Sequence, residues 1–307
     1  MSTKKPVFLV TGNDLAEPAL ALLGDYEVVY AGKAPTDGDI VALCQRHDPV
    51  AIIVRYGKVD AAAMDAAPRL KVISKHGSGT DTIDKAAAAA RGVQVLAAAG
   101  ANAAAVAEHA LALLLACAKS VTALDARMHA GHWDKSTHKS VELEGRTVGL
   151  VGLGAIGLRF ARMADAMGMR VLGFDPYASQ LPGYVQRVEL AAIWRESDAI
   201  SLHCPLTADN ARLLNAQTLA ACKRGVIVVN TARGGLIDEA ALLDAIRSGQ
   251  VAAAGLDSFA VEPMTAPHPF HGEPRITLSP HIGGVTADAY VKMGVGAARN
   301  ALAVLNG

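Results

Sequence analysis

A chain of 307 residues suits about two domains, and its 51% hydrophobic against 19% charged content leaves ample apolar surface for folded cores. Lys+Arg 29 balance Asp+Glu 29, a formal net charge of +0 that argues against a nucleic acid or a membrane surface as partner.

The opening MSTKKPVFLVTG (1–12) carries only a short apolar run, so it reads as a first strand and not as a signal peptide. Strand-like runs follow at 27–32, 51–57, 70–77 and 93–99, with helical segments around 14–23, 37–46, 60–67 and 82–91. Apolar strands alternating with helices predict a parallel sheet covered on both faces. Right-handed crossovers then make it doubly wound. Residues 102–130 show one long helical pattern, with Asn102 as N-cap and Gly131 just past the end. The apolar run at 110–118 is too short to span a bilayer. A second alternation begins at RTVGLVGLG (146–154) and continues with strands at 170–175, 199–205, 226–232, 252–259 and 276–281. Its helices are expected at 155–168, 189–195, 215–223 and 238–248, and a last helix at about 286–305 returns to the first unit. Cys44, Cys117, Cys204 and Cys222 show no C-x-x-C spacing and lie in apolar contexts, as expected of reduced, buried thiols in a cytoplasmic protein.

The motif GLGAIG places glycines at 152, 154 and 157, after an apolar strand and at the start of a helix. In that context Gly152 permits a tight turn, Gly154 lets backbone approach a pyrophosphate, and Gly157 permits close helix–strand packing. The N–H groups of the helix start, around Ala155 and Ile156, favour the negative charge. Asp175 ends the next strand and is placed to accept hydrogen bonds from ribose hydroxyls. It would repel a 2′-phosphate, and FDPYAS offers no nearby Arg, so the expected cofactor is NAD rather than NADP. Three further residues end or follow strands of this second unit, where open α/β sheets bind ligands. Arg233 suits a carboxylate, and its two following glycines would let substrate approach. His281 is the proton donor, and Glu262 the carboxylate that would fix and charge its ring.

NTARGG (230–235), GLDSFAVEP (255–263) and SPHIGG (279–284), with HGSGTDTID (76–84), GLGAIG (152–157) and LHCPLT (202–207), resemble the D-isomer-specific 2-hydroxyacid dehydrogenases. The resemblance covers nearly the whole chain. It implies an α/β protein of two doubly wound parallel-sheet domains, with an NAD-binding Rossmann domain (102–283) inserted into a flavodoxin-like substrate domain (1–101 and 284–307). The two crossings, at Asn102 and near Gly283–Gly284, would be the hinge. Arg233 orients a small anionic 2-oxo acid, His281 gives a proton to its carbonyl oxygen, and Glu262 pairs with His281. Ser78 and Gly79 bind the substrate carboxylate through backbone N–H groups, a nest for an anion. The cofactor pocket is expected to include His203, Thr207, Thr231, Ala232, Asp257 and Gly283. No metal is expected, and the assembly implied is a homodimer.

Substrate choice is expected to rest on Arg55, where phosphoglycerate dehydrogenases of this family carry a substrate-facing Arg, and on Lys75 and His76. The last two depart from the small or neutral residues of many relatives. Either they meet a second anionic group or Lys75 points to solvent. The basic stretch 132–140, with Trp133, Lys135 and Lys139, acts across a dimer or is a solvated loop, the second being favoured. Ending at Gly307, the chain is expected to lack the regulatory domains through which serine controls full-length phosphoglycerate dehydrogenases. An NAD-sensing corepressor-like protein and a phosphite dehydrogenase-like enzyme are the alternative readings.

Overall fold

The computed structural model describes residues 5–307, so the first four residues of the stretch read as no signal peptide lie outside the description. The chain divides into two compact units: the described residues up to Asn102 together with Gly284–Gly307, and Ala103–Gly283.

The first unit runs β1 (Val7–Val10), α1 (Glu17–Leu22), β2 (Glu27–Tyr30), α2 (Asp37–His47), β3 (Ala51–Val54), α3 (Ala61–Asp65), β4 (Val72–Lys75), α4 (Lys85–Ala90) and β5 (Gln94–Ala97). Its sheet is parallel, in the order β2-β1-β3-β4-β5. Every residue of β1 and β3 is buried, because helices cover both faces. Side chains that satisfy the orphan N–H groups start the short helices. Thr36 and Asp39 form a capping box on α2, while Asp60 and Asp84 cap α3 and α4.

The second unit runs α5 (Ala103–Lys119), α6 (Val121–His129), β6 (Thr147–Val151), α7 (Ala155–Ala166), β7 (Arg170–Phe174), β8 (Val185–Arg187), α8 (Leu190–Glu196), β9 (Ala199–Leu202), α9 (Ala216–Ala220), β10 (Val226–Asn230), α10 (Glu239–Arg247), β11 (Val251–Leu256) and β12 (Ile276–Leu278). The chain then returns to the first unit as α11 (Ala287–Asn306), which buries Ala297, Ala298 and Ala301 there. The second sheet is also parallel, ordered β12-β11-β10-β9-β6-β7-β8. From β6 the chain builds outward first to β7 and β8, then to β9 and beyond. The carboxyl ends of β6 and β9 therefore flank a topological switch point, where such sheets open a ligand crevice.

Two sequence expectations are corrected. The single helix over 102–130 is two helices, bent by 62° at Ser120, whose φ is +53. The returning chain supplies the reason. Val141 N–H donates to the Ala118 carbonyl at 2.9 Å and the Ser140 hydroxyl to the Lys119 carbonyl at 3.2 Å, satisfying carbonyls that a continued helix would have used. The second correction is β8, three residues paired with β7, which is too short to show a pattern. Among the described residues, no single helix is long and apolar enough to cross a membrane. All four cysteines are unpaired. Three are buried and Cys204 is half-buried. Burial pushes their thiols up, Cys44 to about 12 and the others to about 11.

Candidate active site

Strand β6 turns into α7 through Gly152, at φ +97. A Cβ on Gly152 would lie 2.6 Å from the Cys204 amide nitrogen, and one on Gly157 would lie 2.1 Å from the Gly152 carbonyl oxygen. Both positions are closed to any side chain. Gly154 is the opposite case, since a Cβ there meets nothing within 4 Å. That open space lies at the N-terminus of α7, which carries no side-chain cap. Its first N–H groups, around Ala155 and Ile156, thus present their positive end outward.

Asp175 follows β7 and ties its end to the glycine turn. Its Oδ2 accepts the Leu153 N–H and its Oδ1 the Tyr177 N–H, both at 2.8 Å. Contrary to the sequence expectation, an arginine is close. Arg187, on β8, donates to the carbonyl of Asp175 at 3.3 Å and to that of Ala178. His203 directly follows β9. Its ring packs on buried Phe160, with centroids 5.2 Å apart, and its Nε2 lies 2.9 Å from Ser201 Oγ. Burial pushes the imidazole of this half-buried residue down to about 4, so the ring is neutral near neutral pH. Thr207 is exposed, with its N–H donating to Asn210 Oδ1 at 2.7 Å.

Arg233 stands three residues beyond the end of β10. Buried Asn230 staples the intervening turn, donating to the Arg233 carbonyl at 2.9 Å and accepting the Ala232 N–H at 3.0 Å. Thr231 lies in the same turn, its buried Oγ1 without a hydrogen-bond partner. The following glycines do not open space for substrate, as the sequence suggested. A Cβ on Gly234 would fall 1.9 Å from the Phe259 carbonyl carbon, and one on Gly235 would fall 2.7 Å from Leu206 Cδ2. Gly234 thus lets the Arg233 turn abut the backbone of 259–260. The Phe259 N–H donates to Glu262 Oε1 at 2.9 Å, and Glu262 Oε2 lies 2.7 Å from His281 Nδ1.

His281 itself has a φ of +54, an uncommon conformation for a histidine. Asp257 holds the loop on both sides of it. Its carboxylate accepts the Ser279 hydroxyl at 2.6 Å, the Ile282 N–H at 2.9 Å and the Gly283 N–H at 2.8 Å. His109 on α5 adds a hydrogen bond to Ser279 Oγ at 2.8 Å. A Cβ on Gly283 would lie 2.9 Å from Asp257 Oδ2. Asp257 and Gly283 thus brace the loop that carries His281.

In the first unit, Arg55, Lys75, His76, Ser78 and Gly79 gather at the carboxyl ends of β3 and β4. The Arg55 guanidinium pairs with Asp14, donates to the Asp14 carbonyl at 2.7 Å, and lies over the rings of Tyr56 and Tyr290. Lys75 does not simply point to solvent, since its Nζ donates to the Arg55 carbonyl at 3.1 Å. His76 is buried beside Tyr290, and its Nε2 has no hydrogen-bond partner. Burial, with the neighbouring Arg55 charge, pushes His76 down to about 4, so it adds no cation to this cluster near neutral pH. The Ser78 hydroxyl donates to Asn102 Oδ1 at 3.2 Å.

Residues 111–283 match the family model for the NAD binding domain of D-isomer specific 2-hydroxyacid dehydrogenases. The hydroxypyruvate reductase of Thermotoga maritima is 42% identical over 247 residues, covering 80% of this chain and 81% of that protein. The chain belongs to the D-isomer specific 2-hydroxyacid dehydrogenase family. Another relative in this dehydrogenase family is the D-3-phosphoglycerate dehydrogenase of Mycobacterium leprae, 40% identical over 98% of this chain but only 57% of that protein. The chain therefore spans little more than half the length of that relative. Among solved structures, the TT0316 protein of Thermus thermophilus superposes with a TM-score of 0.90 at 37% identity, covering 98% of this chain and 97% of that one. A glyoxylate reductase from Paecilomyes thermophila gives 0.85 at 29% identity, covering 99% and 94%.

The second unit fits the NAD named in the description of its family model. The open face at Gly154, the uncapped start of α7 and the Asp175 carboxylate supply donors and an acceptor where a dinucleotide needs them. Sequence reading missed the residues that hold this machinery: Asn230, Ser279, His109, Asp14 and Tyr290. Each acts through a tertiary contact, and although Asn230 and Ser279 open two of the quoted motifs, nothing in the spacing announces that role.

Proposed function

We propose that this chain is an NAD-dependent oxidoreductase that interconverts a small D-2-hydroxy acid and its 2-oxo acid. The observation that carries the reading is the 2.7 Å contact between His281 Nδ1 and Glu262 Oε2, on a loop packed against the Arg233 turn. Gly152, Gly154, Gly157, the N–H groups of Ala155 and Ile156, and Asp175 would hold the dinucleotide, with Thr231 and Ala232 at its nicotinamide end. NAD, when bound, supplies the hydride in reduction and accepts it in oxidation.

The chain's own residues do the rest. Arg233 binds the substrate carboxylate through a planar fork of donors and polarises the neighbouring carbonyl. Glu262 fixes the His281 ring through Nδ1. Nε2 is then the nitrogen that passes its proton to the carbonyl oxygen as the alcohol forms, and takes it back in oxidation. Ser78 and Gly79 offer backbone donors to the carboxylate. Arg55 and Lys75, on adjacent strand ends, favour substrates with a second polar or anionic group, such as hydroxypyruvate or its phosphorylated form, beside glyoxylate.

The reading includes a homodimer formed through the second unit. Helix α6 has no buried residue, and Val121, Met128 and nearby Trp133 stand exposed, an apolar surface that a second copy would cover. The unpaired cysteines suit a reducing compartment such as the cytoplasm. The test is NADH oxidation with hydroxypyruvate. His281→Ala is expected to lower kcat by about 10²–10⁴, and near-wild-type turnover would remove His281 from the chemistry.

A further inference from the structure

A second carboxylate stands behind the one that touches His281. Glu239 opens α10, directly after its N-cap Asp238. Its Oε1 accepts the Ala260 N–H at 2.9 Å, and its Oε2 lies 3.5 Å from His268 Nε2. The adjacent Phe259 N–H goes to Glu262 Oε1 at 2.9 Å. Two consecutive N–H groups of one loop are thus held by two carboxylates, one facing the His281 ring and one anchored on a helix. The anchored one is half-buried, with 23% of its side chain exposed, and His268 beside it is similarly covered at 20%. His268 is itself fixed by packing on Phe270, whose ring is buried, at 4.9 Å between centroids.

Phe259 and Ala260 are also the residues against which Gly234 packs, so their backbone is the piece of chain shared by the Arg233 turn and the Glu262 loop. We propose that Glu239, braced by His268, is a positioning residue. It fixes the 259–260 backbone so that Glu262 reaches His281 and the Arg233 turn keeps its place. The inference rests on reading Glu262 and His281 as the acid–base pair. Glu239 itself touches neither the His281 ring nor the Arg233 guanidinium in any contact described above, and reaches the pair through Ala260. What it must supply is an acceptor at one point in space. A glutamine has that acceptor. An aspartate, one methylene shorter, has the charge but withdraws the oxygen.

The test uses the full chain, NADH and hydroxypyruvate, with thermal unfolding to confirm that each variant is folded. Glu239→Asp and Glu239→Ala are expected to lower kcat about tenfold with KM for NADH changed less than twofold. Glu239→Gln should restore kcat to within about threefold of wild type. Introduced into a Glu262→Ala background, Glu239→Ala should cost less than twofold more, because the two residues act in series. Equal losses in both backgrounds, a Gln variant as defective as Ala, or an Asp variant as active as wild type would each overturn the proposal. If Glu262→Ala alone leaves turnover intact, the acid–base reading fails. If Glu262→Ala is slow but the Glu239 variants are fast, only the positioning role fails.

Discussion

In the proposed cofactor site, Asp175 would serve structure and selectivity together. Its two oxygens each accept a backbone N–H, which fixes the carboxylate at the glycine turn and leaves further lone pairs for ribose hydroxyls. Arg187 lies behind it, bound to the carbonyls of Asp175 and Ala178. The carboxylate repels a 2′-phosphate and the guanidinium attracts one, so the balance between NADH and NADPH rests on the nearer group. Asp175→Ala is expected to raise kcat/KM for NADPH relative to NADH by about tenfold, roughly the worth of one charged contact. The double variant Asp175→Ala/Arg187→Ala should give back most of that gain. Unchanged coenzyme selectivity in Asp175→Ala would contradict its assignment.

At the level of elements, legibility in the sequence followed the periodicity. Strands such as Val226–Asn230 and helices such as Ala155–Ala166 announce themselves through continuous apolar runs and a glycine turn. The elements that escaped were those set by tertiary contacts. Ser120 breaks an apolar helical pattern only because residues 140–141 return to cap α5. The strand at Val185–Arg187 exists by pairing with β7. The same division holds in the candidate site. Arg233, Glu262 and His281 could be picked out as candidates because they stand in strand-end motifs, and the structure sets Glu262 against His281 on a loop packed on the Arg233 turn. The packing of their neighbours was not legible: Gly234 abuts the Phe259–Ala260 backbone, Asp257 holds the His281 loop, and the His203 ring packs on Phe160. A sequence motif names the residues at such an edge without saying which side each one presents.

For the molecule as a whole, each unit holds a histidine whose ring desolvation keeps neutral: buried His76 in the first and half-buried His203 in the second, each pushed from 6.5 to about 4. Between those values the unfolded chain takes up protons that the folded chain refuses. Stability therefore rises with pH across this window, and is lost as pH falls from about 6.5 toward 4. The melting temperature should drop between pH 7 and pH 5, and His203→Asn should flatten that slope. A slope that His203→Asn leaves unchanged would contradict the buried neutral state of this ring. The central claim, however, is chemical: a dinucleotide turn on one side of the second sheet's crevice serves a proton-transfer pair and an arginine at its strand ends. The measurement that tests it most directly is NADH oxidation by the wild-type chain with hydroxypyruvate and glyoxylate, with the glycerate from hydroxypyruvate resolved by enantiomer. The account predicts turnover with both acids and D-glycerate as the product. L-glycerate, or NADH bound without turnover of any 2-oxo acid, would contradict it.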